Sequence, residues 1–434
     1  MPTSRRRFLG TAAGAFSALA GTSFALPCLD PRWRRLESHL VTGPTDPAAA
    51  AQDEDFWAGV ARAYTVDRSL IHFNNGGVSP APDTVQEATK RHLDFAHQLP
   101  SRHLWAVQQP RKEGVRQRLA RHWGADPEEV ALTRNASESL QIVQFGLDLA
   151  EGDEVLTTTQ DYPRMLNTFR QREAREGIRL RTVQLPVPAE DDDEVVRRFA
   201  TAITPQTRLI LMCHVVNLTG QVLPVRRVAA LARERGIPLL VDGAHGFAHL
   251  PFRLPDLGCD FYATSLHKWL SAPHGTGLLW VRRERIPEVW PLMAAADSQR
   301  EDIRKFEEIG THPLANLLAV GEALTFHQLI GDARKEARLR WLRDRWAARA
   351  QHERIRLHTS RDPRWSCGIA TVEVEGVTPA ELTNWLWAEK KIVVTPIGHD
   401  EVKGVRVSPH VYTLKEEADR FADALLEAAE HGVG

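Results

Sequence analysis

Between residues 130 and 281 the chain repeats one pattern: a short run with few polar positions, too brief for a helix, followed by a stretch with helical spacing. Strands are predicted at 130–133, 154–159, 179–185, 207–216, 239–241, 261–266 and 277–281. Leu209-Ile-Leu-Met-Cys-His-Val-Val216 and Leu239-Leu-Val241 show no polar alternation, which suits strands covered on both faces of a sheet. Helices are predicted between them, at 134–149, at 190–203 with an acidic start, and from Val225 onward. In that last one Val225, Val228, Ala229 and Ala232 mark one face and arginines the other. Strand and helix in alternation predict a parallel sheet joined by right-handed crossovers.

The flanks read differently. Residues 30–51, rich in Pro, Arg and small side chains, read as a linker, and 53–64 as an amphipathic helix carrying Phe56, Trp57, Val60 and Ala61. That helix is expected to pack on the C-terminal domain. Helices follow at 82–99 and 109–123, the second closed by Gly124, which suits a left-handed cap. From Pro313 the pattern changes to long helices at 314–330 and 332–354, then a strand at 368–375, a helix at 379–389 and strands at 393–397 and 405–408. The division this predicts is 1–29 as a leader, 30–70 as linker and first helix, 71–312 as a large α/β domain, and 313–434 as a small α+β domain.

With 434 residues, 43% of them hydrophobic, the chain can bury a large core. A net charge of −1 gives no global field toward nucleic acid or an acidic membrane surface. The interleaved arginines and tryptophans of 332–354 read as a buried stripe of Leu339, Trp341 and Leu342 with a solvated basic face, not as a nucleic-acid surface. Cys28, Cys213, Cys259 and Cys367 have no Cys-x-x-Cys spacing, so neither a metal centre nor a disulfide framework is predicted. Ser4-Arg-Arg-Arg-Phe-Leu-Gly10 and the apolar run at 11–26 resemble a twin-arginine export signal, implying a periplasmic or extracellular protein, the alternative being a basic N-terminus on a cytoplasmic one. That run is too rich in Ala and Gly for a stable membrane span.

The chemistry gathers around two strand ends. Leu239-Leu-Val241 stops at Asp242-Gly-Ala-His245, and the strand at 261–266 runs into Ser265-Leu-His267-Lys268. Open α/β sheets bind ligands at such edges. A carboxylate and a lysine placed there suggest pyridoxal 5'-phosphate (PLP): the amine carries the aldehyde as a Schiff base, and the acid keeps the pyridine nitrogen protonated so that the ring can accept electrons. At 134–140, Arg-Asn-Ala136-Ser137-Glu-Ser-Leu opens a helix whose free N–H groups and Ser137 hydroxyl suit a phosphate. Asn74-Asn75-Gly-Gly must turn sharply near any ligand, and Arg406 in Arg-Val-Ser408 offers a carboxylate two parallel hydrogen bonds.

Asp242-Gly-Ala-His, Ser265-Leu-His-Lys-Trp-Leu and Pro273-His-Gly-Thr-Gly resemble the class V aminotransferase family of fold-type I PLP enzymes, and most closely its isopenicillin N epimerase-like branch. The resemblance implies the fold-type I architecture, with a mainly parallel seven-stranded sheet flanked by helices, a smaller α+β domain, and a homodimer with shared sites. It also implies roles. Lys268, Asp242 and His245 would be catalytic, with His245 on the phenolic oxygen. Ala136, Ser137, Ser265 and His267 would hold the phosphate, joined by Gly310 and Thr311 of the neighbouring subunit. Tyr162 would stack on the ring, Asn217 would lie near the phenolic oxygen, and Asn74, Asn75 and Arg406 would meet the substrate. Ala136 stands where many members have a hydroxyl residue, so only its N–H could bond there.

The expected reaction begins at Cα of an amino-acid-type substrate. Reprotonation from the other face gives an epimerase or racemase, the reading nearest the motifs; transamination and Cα/Cβ lysis are the alternatives. Desulfurases use a cysteine on the loop that here reads Pro396-Ile-Gly-His-Asp-Glu-Val-Lys-Gly404 and has none. A non-enzymatic alternative, a silent PLP-fold binding protein, would not need an intact Lys268 and Asp242.

Overall fold

A two-residue strand, β1 (Ile71–His72), precedes the seven strands of the main sheet in the computed structural model, which describes residues 31–433. These are β2 (Val130–Thr133), β3 (Glu154–Thr158), β4 (Arg179–Val183), β5 (Thr207–Cys213), β6 (Leu239–Asp242), β7 (Phe261–Ser265) and β8 (Gly277–Val281). Their order across the sheet is β2-β8-β7-β6-β5-β3-β4, with β8 antiparallel to both neighbours and the other pairs parallel.

The absence of alternation in the sequence has a direct cause. Ile210, Met212, Leu239, Val241, Tyr262, Leu278 and Trp280 point into one apolar core. Leu209, Leu211, Leu240, Phe261, Ala263, Leu279 and Val281 point into another on the opposite face. Side chains alternate along each strand, but both destinations are dry. Strand β5 ends at Cys213, so His214 to Val216 already belong to the loop beyond the sheet edge.

The small domain has β9 (Ile355–Leu357), β10 (Ala370–Val374), β12 (Thr395–Gly398) and β13 (Lys403–Val407) in an antiparallel sheet, order β12-β13-β10-β9. A separate pair joins β1 to β11 (Ile392–Val393) in parallel, and Ile71 and Phe73 lie in the small domain's core with Val372, Val405 and Phe421. A C-terminal helix at Lys415–His431, for which the sequence reading had no element, covers this core.

Three expectations change. Residues 30–51 are not a plain linker: helices α1 (Pro31–Thr42) and α2 (Pro47–Gln52) lead into α3 (Glu54–Ala61), and Leu40, Ala50 and Ala51 are buried. The boundary at 313 also moves. Helix α4 (Asp83–Gln98), helix α5 (Gln109–His122) and the later helix α6 (Ala315–Ile330) bury Val85, Ala88, Val115, Leu119, Leu318 and Val320 in one core, that of the large domain. A helix apolar on almost every side must be surrounded, and only the large domain surrounds it.

Helix α7 (Asp332–Arg349) then joins the two cores, with Leu339 in one and Leu342 and Trp346 in the other. Its basic face is not simply solvated, for Lys335, Arg338 and Arg343 are all buried. Arg338 donates to Ala51 O at 2.9 Å, to Glu54 Oε1 at 2.5 Å and to Thr413 O at 3.0 Å, tying the N-terminal helices to the rest. Arg343 donates to Cys367 O at 2.9 Å, and Lys335 to Trp269 O. The leader predicted at 1–29 lies outside the described residues. Among the described residues no helix is long and apolar enough to cross a membrane.

Arg338→Ala should therefore loosen the N-terminal helices. Breaking a buried pair costs roughly 3–5 kcal/mol, and the low end applies here because the Glu54 side chain keeps 24% exposure. Denaturant unfolding measures the loss. Arg338→Lys should restore only part of it, because one ammonium cannot reach three acceptors in a planar fork.

Candidate active site

Because both faces of the sheet are covered, polar groups can collect only where strands end. Strands β5, β6 and β7 deliver Cys213, Asp242 and Ser265 to one edge. Gly277 begins antiparallel β8 there, and a Cβ on it would stand 2.6 Å from the Asn135 backbone, so a glycine alone lets the helix start at 136 sit on the sheet.

Asp242 is buried and accepts from Ala244 N at 3.0 Å. Burial pushes its carboxyl up to about 6, with the neighbouring Asp161 adding to the rise while Ala244 and Lys268 oppose it. Lys268 is half-buried, and burial lowers its amine to about 8 against the pull of Asp242. Its Nζ lies 3.5 Å from His245 Nε2. His245 is buried, and desolvation, reinforced by the Lys268 charge, holds its ring neutral well below the usual histidine range. Acid, amine and imidazole thus stand together.

Arg406 reaches this edge from β13 of the small domain. It is buried, donating to Asn217 O at 3.1 Å and Asn74 Oδ1 at 2.9 Å. No Asp or Glu among the described residues pairs with it, and burial lowers it to about 10. Tyr162 stands nearby, half-buried at the N-terminal end of the helix at Pro163–Glu176, and favours the charge.

On the phosphate side Ala136 N donates to Ser265 Oγ at 2.9 Å, linking the helix start to the end of β7. Ser137 is half-buried in the first turn of that helix, Ala136–Gly146. His267 has Nδ1 3.2 Å from Thr276 O, and burial, then Lys268, lowers its ring to about 4.

Not every expected residue arrives. Asn74 holds Arg406, but Asn75 is fully buried with its side chain spent inside the protein: Nδ2 donates to His72 O and Ser408 O, and Oδ1 accepts from Tyr412 at 2.7 Å. Its amide supports the turn and has nothing left for a substrate. Gly310 and Thr311 are exposed, Thr311 bordering an apolar groove with Leu93, Ala96, Pro100 and Leu104, and among the described residues no hydrogen bond joins either to the cradle.

One group was missed. Asp161 lies buried close enough to influence Asp242, accepting from Thr157 Oγ1, Thr158 N, Thr158 Oγ1 and Cys213 Sγ at 2.6–3.1 Å. An acid just before Tyr162 at a strand end was the signal available.

Three buried polar atoms around the edge have no partner in the protein: Asn217 Oδ1, His245 Nδ1 and Arg406 Nε. Unsatisfied buried groups are costly, so their convergence marks a cleft shaped for a polar ligand. PLP fits that set. Asp242 would meet its ring nitrogen, Lys268 its aldehyde, and Ala136, Ser137, Ser265 and His267 its phosphate.

The family model for aminotransferase class-V matches residues 71–421. Isopenicillin N epimerase of Streptomyces clavuligerus is 32% identical over 396 residues, covering 85% of this chain and 97% of the relative. The Amycolatopsis lactamdurans enzyme of the same name is 32% identical over 402 residues, covering 86% and 98%. A solved complex of a cystine C-S lyase with its product cysteine persulfide superposes with a TM-score of 0.74 at 24% identity, covering 83% of this chain and 98% of that one. By the extent of these matches the chain belongs to the class V aminotransferase family of PLP-dependent enzymes.

Proposed function

We propose that the protein is an epimerase or racemase that acts at Cα of an amino-acid-type substrate. One observation carries the substrate class: Arg406, a buried guanidinium with no acid partner among the described residues, faces the cleft that holds Lys268. A buried cation without a counter-charge is unfavourable until an anion arrives, and a carboxylate accepts from a guanidinium in two parallel bonds. The relatives named isopenicillin N epimerase, matched over nearly their whole length, favour epimerisation among the outcomes open to the family.

The residues divide the work. Arg406, steadied by Asn74 and Asn217, fixes the substrate carboxylate. The Lys268 amine, nearly half neutral at pH 8, takes the proton from Cα, and neutral His245 at 3.5 Å can pass a proton to or from it. Bound PLP supplies the electron sink, and Asp242, charged once it pairs with the ring nitrogen, keeps that sink open. Desulfurase chemistry is disfavoured. Cys213, Cys259 and Cys367 are all buried, and burial raises Cys259 to about 12 and Cys367 to about 11, the wrong direction for a thiolate nucleophile. We further propose a homodimer that covers the groove at Thr311, and export through the twin-arginine-type leader.

Proton NMR in heavy water, with L- and D-amino acids offered in turn, tests the reaction. Inversion with loss of the Cα proton signal is expected; keto-acid formation would mean an aminotransferase, and pyruvate release a lyase. Lys268→Ala should stop the exchange, and Arg406→Gln should lower kcat/KM by about two orders of magnitude, on the order of 3 kcal/mol for a broken charge-assisted bidentate contact. An Arg406→Gln enzyme at full efficiency would remove the carboxylate-binding reading.

The lowered Lys268 amine sets a pH dependence. Only the neutral amine attacks an aldehyde, and its fraction rises with pH through about 8. An ordinary lysine near 10.4 would be under about 1% neutral at pH 8. Borohydride trapping of PLP on the apoprotein, followed by mass spectrometry, should give a rate with a midpoint near 8. A midpoint near 10 would contradict the electrostatics described above.

A further inference from the structure

Three side chains from three helices converge on one point. His122 closes α5, His327 lies in the last turn of α6, and Asp332 opens α7. Asp332 Oδ1 lies 2.6 Å from His327 Nε2 and 3.3 Å from His122 Nε2, and the candidate ligand atoms all fall within 4.8 Å of one another. Ligands at the roughly 2.0–2.2 Å bond lengths of zinc in a tetrahedron sit about 3.4 Å apart. To hold the ion, the 2.6 Å pair must open by about 0.8 Å and the widest pair close by up to about 1.4 Å.

The ring orientations fit the same purpose. Both imidazoles turn Nε2 inward, and each Nδ1 already has a partner behind it: Gln328 Nε2 at 3.4 Å from His122 Nδ1, and Lys335 Nζ at 3.4 Å from His327 Nδ1. A side-chain amide can be turned so that its oxygen accepts from His122. That partner on the outer nitrogen fixes ring orientation and tautomer in a histidine metal site. The Lys335 ammonium cannot accept, so its contact with His327 Nδ1 must give way to its bond to Trp269 O when Nε2 takes a metal. His327 is buried and lies parallel to Trp123 with ring centroids 5.7 Å apart, while His122 and Asp332 keep side-chain exposures of 16% and 37%. The buried ring gives rigidity, and the exposed pair leaves a path for an ion and room for a water.

We propose that His122, His327 and Asp332 form a binding site for a divalent first-row metal ion, best suited to Zn2+, separate from the cleft that holds Lys268. Two imidazoles and a carboxylate supply three ligands, and water completes a four-coordinate shell. The ion would clamp α5, α6 and α7 together behind the active lysine, because Lys335, next to His327, donates to the carbonyl of Trp269. Its role is to brace that wall and takes no part in the reaction.

Untagged, cofactor-loaded protein is stripped with a chelator and titrated with zinc chloride by calorimetry. Saturable binding of one ion per chain is expected, and Co2+ in place of Zn2+ should give the visible spectrum of a four-coordinate site. His122→Ala and Asp332→Asn should each weaken binding by more than about tenfold, with the far-UV circular dichroism unchanged. His122→Gln serves in place of the alanine variant if that one misfolds. Absence of saturable binding, or equal binding by wild type and variants, would overturn the site.

Discussion

A sheet covered on both faces leaves its polar chemistry one place to go. Strands β5 to β8 bury alternate side chains in two separate apolar cores, so an ionisable group within them would lose hydration on either side. At the edge where the parallel strands end, backbone gives way to loops and donors become available. Asp242, Asp161, Ser265 and Lys268 all sit at that edge or one turn beyond it. The core makes the location of the site a matter of packing before it is a matter of chemistry.

The charges gathered there are only partly satisfied, and the shortfall is informative. Asp161 receives four donors from its own surroundings and needs nothing more. Asp242 receives one, from Ala244, and Arg406 touches three oxygens, all neutral, of Asn217, Asn74 and Thr395. Burial, with Asp161 adding to it, disfavours an unpaired charge on Asp242, while Lys268 and Arg406 repel one another across the cleft. A ligand with a protonated ring nitrogen, an aldehyde and a carboxylate-bearing partner relieves each imbalance at once. The site is preorganised by leaving these groups underpaired.

The strands were legible because a two-faced strand writes itself as an unbroken apolar run, and Asp242 and Lys268 because they follow such runs directly. Other features depend on distant backbone. Whether Asn74 or Asn75 faces the cleft is decided by Ser408 and Tyr412, more than 300 positions away, which claim Asn75. The buried arginines of α7 read as surface residues, since their acceptors, Ala51 O, Thr413 O and Cys367 O, are carbonyls whose placement no side-chain pattern encodes. Helix α2 was hidden for the opposite reason. Its Pro-Ala-Ala-Ala-Ala-Gln stretch shows no amphipathic contrast in sequence, although Asp46 caps it and two of its alanines, Ala50 and Ala51, are buried.

Those same distant carbonyls explain how two domains come to share one site. Arg406 belongs to β13, whose core is that of the small domain, yet its guanidinium rests on Asn217 from the loop after β5 and on Asn74 from the segment after β1. Residues Ile71 and Phe73 just before that asparagine are packed in the small domain, so one anchor moves with Arg406 and the other stays with the large domain. Further out, His399 reaches Thr159 O at 3.1 Å and Glu401 accepts from Gln160 at 2.7 Å, joining the β12–β13 loop to the segment that presents Tyr162. Apolar packing crosses between the domains as well, since Ile369, Ile397 and Val402 lie in the large domain's core. Polar and apolar contacts together thus hold Arg406 against Lys268 and Asp242, both carried by the large sheet.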